Sequence, residues 1–156
     1  MATQYTAGLS AGQVLTAATM NTIGAASETF TPTWTSSGTQ PAIGNGTLTG
    51  RYFRVQKLVF VQVLWIAGST TTFGTGDYRF ALPATARTGL FGYMSQGIGR
   101  LFDQSSGTLY YCHAAFKDGA TTYINPYIGN GAVSATSPFT FANLDEIQLT
   151  FWYEAA

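Results

Sequence analysis

From Phe30 to the C-terminus the chain is punctuated. Short apolar runs alternate with polar residues, and most stop at a glycine, a proline or a hydroxyl-rich stretch. Asn45-Gly46, Asp118-Gly119 and Asn130-Gly131 are the sharpest stops. A helix core needs an apolar period near 3.6, whereas a half-buried strand needs a period of two. Here the period is two. Ile147, Leu149, Phe151 and Tyr153 alternate with Gln148, Thr150 and Trp152. In Leu58–Ala67, Val59, Val61, Val63 and Trp65 share one face and Leu58, Phe60, Leu64 and Ile66 the other, which predicts a strand covered on both sides.

The same pattern predicts strands over Phe30–Thr35, Thr47–Val55, Asp77–Leu82, Leu90–Phe102, Thr108–Phe116 and Thr121–Ile128. Pro32 places the first at a sheet edge. Gln56-Lys57, Ser105-Ser106-Gly107 and Lys117-Asp118-Gly119 read as turns, and Asn45-Gly46 as a turn that uses positive φ. Gly50 reads as a place where a ring or backbone comes close. Asp145, ahead of the last strand, is placed to bind loop amides. About eight short strands with regular turn signals predict an all-β fold, a jelly-roll-like antiparallel β-sandwich.

The first residues differ. Residues 1–12 have no periodicity and read as an extended arm. A short helix is expected over Thr16–Ser27, with Thr16 as N-cap and Leu15 packed on Met20. Met20 and Ile23 form a narrow apolar face, and Gly24 weakens the helix by about 1 kcal/mol. Such a helix needs a surface to pack on. The expected division is an anchoring segment, 1–28, and a sandwich knob, 29–156.

Charge narrows the function. Charged residues are 9% of the chain, and seven Lys and Arg balance seven Asp and Glu. Low charge and zero net charge favour association. No basic run exists to neutralise phosphates, so nucleic acid is not an expected partner. No apolar run nears the ~20 residues of a membrane helix, and the N-terminus lacks the pattern of a signal peptide. Catalytic supply is thin. His113 follows Cys112 on a predicted strand, so the two point to opposite faces and cannot pair as nucleophile and base. One Cys and one His make a poor zinc set. Seven scattered acids give no local carboxylate pair. No catalytic residue, metal or cofactor is expected, and Cys112 reads as a small core residue.

Aromatics are abundant, with nine Tyr, eleven Phe and three Trp. Trp152 falls opposite Phe151 and Tyr153 in the alternation, and one of the adjacent Tyr110 and Tyr111 must face away from the core. Together with Met20 and Ile23 they are the candidate subunit-interface residues. Two hydroxyl- and amide-rich loops, Ser69–Gly76 and Gly129–Ser137, are the candidate receptor loops, with Ser69, Thr70, Thr71, Asn130, Ser134 and Thr136 as contact groups.

Several stretches also resemble a module of tailed-bacteriophage virion proteins of the tail-fibre or minor-tail type. They are Phe30-Thr31-Pro32-Thr33-Trp34-Thr35, Gly44–Tyr52, Lys57–Val61, Gly74–Pro83 and Pro138–Thr150, preceded by Val14–Asn21 as a lead-in helix. The resemblance spans most of Val14–Tyr153 and rests on structural rather than catalytic motifs. It implies a homotrimeric, jelly-roll-like knob on the virus surface. Three readings follow: a capsid decoration (cement) protein held to the major capsid protein by its N-terminal segment, a short tail-fibre or receptor-binding head held to tail proteins by that segment and recognising a host cell-surface glycan, or a non-viral β-sandwich binding module. A chain starting at Met1 with no fibre shaft favours the cement expectation.

Overall fold

The computed structural model describes Val14, Thr16, Ala17 and residues 27–89 and 95–156. The helix expected over Thr16–Ser27, with Met20 and Ile23, therefore falls almost entirely outside the described residues, as does the arm of residues 1–12. The described chain is an all-β, antiparallel, sandwich-like fold. Its strands are β1 (Glu28–Phe30), β2 (Trp34–Ser36), β3 (Thr47–Val55), β4 (Leu58–Ile66), β5 (Tyr78–Ala81), β6 (Ser95–Asp103), β7 (Thr108–Ala115), β8 (Tyr123–Ile128), β9 (Gly131–Ala132) and β10 (Glu146–Glu154). They form one curled sheet in the order β1-β3-β4-β10-β6-β7-β8-β5-β2, with β9 paired to β8.

The curl comes from a break the sequence reading did not place. Phe30–Thr35 was expected as one strand and is two. Pro32 has no N–H and a fixed φ, so it cannot continue a ladder. The chain leaves β3 after Phe30, which faces Gly50, and joins β5 at Trp34, which faces Phe80. Between them the Thr33 carbonyl accepts a hydrogen bond from the Ala81 amide at 2.9 Å. Consecutive strands thus occupy opposite ends of the sheet order, and the link between them folds the sheet over its own inner face. The sheet also takes in Glu28, which the division at 28/29 assigned to the anchor.

That inner face is the core. Val59, Val61, Val63 and Trp65 of β4 and Ile147, Leu149, Phe151 and Tyr153 of β10 are buried, with Tyr78 and Phe80 of β5 and Ile124 of β8 closing over them. Trp34 stands edge-on to Trp65 and to Tyr78, with ring centroids 5.0 Å apart in each pair. Burying each large side chain contributes about 1.5–3 kcal/mol. At β1 the Phe30 ring lies where a side chain on Gly50 would stand, so any Cβ there would strike it.

The turns are mostly where the composition put them. Val55 faces Leu58 across Gln56-Lys57, and Asp118-Gly119 turns with both residues at positive φ. Asn45-Gly46 works differently from expectation. The turn is closed by the Gly46 amide on the Ile43 carbonyl, and Gly44 carries the positive φ, 58°. Gly46 is glycine because a Cβ would meet the Ile66 carbonyl. Asn130-Gly131, expected to open a loop, is instead shared between a turn and β9, with Ile128 facing Gly131.

Candidate interaction surface

Strands β3, β4, β10, β6 and β7 lie side by side, and the register places their outward residues in rows. One row runs Thr49, Leu64, Gln148, Arg100, Tyr111. The next runs Arg51, Gln62, Thr150, Ile98, His113. A third brings Phe53, Phe60 and Trp152 together, with the two phenylalanine rings stacked at 5.1 Å. This face carries most of the large exposed apolar side chains: Tyr111 is 77% exposed, Ile98 71%, and Trp152 and Leu58 50% each. Charge on it is sparse. Arg100 pairs with Glu146 at 3.3 Å, and Arg51 donates to the Ser27 hydroxyl at 2.9 Å.

The face is not flat. Thr49, Arg51, Gln62, Leu64, Gln148 and Thr150 line a depression of about 320 Å³ centred on β4. Across the same face, on β6 and β7, Ile98 and Tyr111 project. Of the interface candidates, Trp152 and Tyr111 therefore face outward here. Tyr110 turns inward and stacks on Phe139 at 5.2 Å, and Met20 and Ile23 lie outside the described residues. Ile98 was missed because it lies between two glycines, Gly97 and Gly99. In the strand they are its inward neighbours, and the alternation Gly97-Ile98-Gly99 was the available signal.

The two candidate receptor loops lie at one end of the sandwich. The end of β4, Ile66, faces the starts of β3 and β10, and β8 runs toward the same end. Much of their polarity is used internally. The Thr70 hydroxyl accepts from the Asn45 amide and donates to Asn45 Oδ1, the Thr71 hydroxyl donates to the Ile43 carbonyl, and Asn45 Nδ2 donates to the Ser69 hydroxyl. The Ser134 amide donates to the Ser137 carbonyl at 3.1 Å and the Ser137 amide to the Ser134 carbonyl at 3.3 Å, closing the turn through Ala135 and Thr136. Asn130 and Thr136 are exposed. Asn130 joins His113, Ala115, Tyr127 and Gly129 around a cleft of about 280 Å³, where the His113 and Tyr127 rings are near parallel at 5.6 Å.

The titratable groups are held by folding contacts. Cys112 is buried on the inner side of β7, and burial pushes its thiol up to about 12, which keeps it a protonated, poor nucleophile. Asp145 is sealed at the base of the loops. Burial raises its carboxyl above the usual range, against the pull of the Ala142 amide at 2.6 Å and the Gln104 amide at 2.9 Å. Asp103 is half-buried, and the hydroxyls and amides of Ser105 and Ser106 hold it below the usual range. Asp77 holds Lys117 at 2.6 Å and raises it. Among the described residues, no three His, Cys, Asp or Glu side chains gather as a metal site, and no helix is long and apolar enough to cross a membrane.

What this surface can do is bind by area, with a projecting pair, a hollow and few ions. Neither family models, curated proteins nor solved structures include a match to this chain.

Proposed function

We propose that this chain is a non-enzymatic structural protein of a bacteriophage particle, a homotrimeric knob that decorates the capsid as a cement protein, with the segment before β1 attaching it to the major capsid protein. The observation that carries this reading is the open outer sheet face. An exposed patch with Tyr111, Ile98, Trp152, Leu58 and Phe53 on one side of a near-neutral sandwich suits a subunit packed against others. The hydroxyls of Ser69, Thr70 and Thr71 also support cement over receptor binding, since they knit their own loops and are poorly placed to hold a ligand. The sequence resemblance supplies the virion context.

A second reading has its own observation. The cleft at His113, Tyr127 and Asn130 sets the His113 ring, backed by the buried Tyr127, beside an exposed amide, a combination that suits a sugar. Under that reading the chain is a short tail-fibre or minor-tail head that binds a host cell-surface glycan.

Cryo-electron microscopy of purified particles from the phage that encodes the chain separates the two. Density on the head shell, together with heads made heat-fragile by deletion of the gene, is the expected result. Density at the tail tip would replace cement with the receptor reading, and absence from purified particles would end both.

A further inference from the structure

We infer that the outer sheet face is the subunit contact, and that it is heterologous: Ile98 and Tyr111 of one copy enter the hollow over β4 of the next. This deepens the homotrimer reading above and rests on it. Three observations support a second copy as the occupant.

The first is position. The projecting pair sits on β6–β7 and the hollow on β3–β4–β10, so they occupy opposite flanks of one face. A ring needs two different patches on each subunit, each facing its complement on a neighbour.

The second is level along the strands. Ile98 faces Thr150, which faces Gln62, which faces Arg51. Tyr111 faces Arg100, whose row continues through Gln148 and Leu64 to Thr49. These two rows are the ones that line the hollow. A rotation about an axis parallel to the strands therefore brings knob to hollow without a rise. Rotation without rise closes a ring, whereas rotation with rise makes a filament.

The third is chemistry and size. At equal level Tyr111 meets Leu64, with Gln148 beside its phenol oxygen, and Ile98 meets the aliphatic stems of Arg51 and Gln62. Five strands of eight or nine residues cover about 24 by 30 Å, on the order of 700 Å², at ordinary strand spacing and rise. A ring divides that face between two neighbours, so each contact takes about half of it per partner, at the low end of specific interfaces. With Arg100 already neutralised by Glu146, copies meet without a block of like charge.

The test uses the full chain at micromolar concentration, with mass measured by light scattering. The wild type should be a trimer. Ile98→Ala with Tyr111→Ala removes the knob, and Gln62→Trp fills the hollow. Each variant should associate at least ~tenfold more weakly and keep its far-ultraviolet spectrum, its melting temperature falling only by what the lost association supplied. Mixed one to one, the knobless and filled variants should stop at a heterodimer, because one intact knob and one intact hollow remain. A wild-type monomer or dimer would overturn the inference, as would a knobless variant that stays trimeric. The last result would leave the homotrimer itself standing on another face. A wild-type monomer that trimerises once residues 1–26 are removed would assign the hollow to that segment, whose end meets Arg51 at Ser27, and would also overturn it. The particle location tested above is independent of every one of these outcomes.

Discussion

Along β10 the inward residues Ile147, Leu149, Phe151 and Tyr153 are sealed, while Trp152, between the last two, is half exposed. The backbone around them is one continuous ladder with β4, and with β6 as far as Phe151. The difference lies only in which way each side chain points, and it divides the strand's work. Folding free energy is concentrated on one face, where apolar area leaves water. The other face holds apolar area that folding does not use, and that area remains available to a partner. A sandwich can thus keep its core constant and vary what it binds, because successive residues answer to different surroundings.

Substitution on the inner face gives the largest effect. Phe151→Ala should cost about 3–5 kcal/mol in denaturant unfolding, since the lost burial and the cavity both count. A cost under about 1 kcal/mol would mean that β10 is not the centre of the core. Next is Asp145, which ties the loop before β10 to the β6–β7 loop. Asp145→Ala leaves the Ala142 and Gln104 amides without their acceptor, and should cost about 2–3 kcal/mol. Retained stability would show that water replaces the carboxylate.

Trp152→Ala sharpens the comparison from the other side. Unfolding of the isolated subunit should shift by less than about 1 kcal/mol, as for surface positions generally. A loss equal to that of Phe151→Ala would erase the distinction between the faces. The smallest effect is electrostatic. The Asp103 carboxyl is held below its ordinary value, so its contribution is present above about pH 3.9 and is lost as pH falls through the lower folded value. Asp145 has the opposite sign. Its raised carboxyl favours the fold below the ordinary range, and that contribution is lost as pH rises through the higher folded value. Asp103→Asn should flatten the acid limb of a stability–pH curve, and an unchanged limb would remove the Ser105–Ser106 contacts from the account.

Much of the fold was legible because strands report their own alternation. The inner residues of β4 and β10, the Gln56-Lys57 and Asp118-Gly119 turns, the loop-binding role of Asp145 and the ring over Gly50 all follow from local pattern. So did the outward direction of Trp152. The split of Phe30–Thr35 was half legible. Pro32 signalled an edge, but only the sheet order shows that the two halves lie on opposite edges. The hollow was not legible at all. Its lining comes from β3, β4 and β10, and Thr49, Gln62 and Gln148 are unremarkable until register brings them together. The partners of the Ser69–Thr71 loop were not legible for a related reason, since hydroxyls that stand alone in sequence are bonded in space to Asn45 or Ile43.

The sequence by itself determined the period, and hence strand over helix, because side-chain direction along a strand depends only on parity. It also determined where several turns could occur, because glycine, proline and asparagine act on their own φ or their own amides. Tertiary structure alone decided which strands became neighbours, that the sheet folds over itself at Thr31–Thr33, and that Ile98 and Tyr111 stand level with the hollow across β10. Those outcomes depend on long-range pairing, in which residues far apart in sequence meet only after the core has chosen the register that buries Trp65, Phe151 and Tyr153.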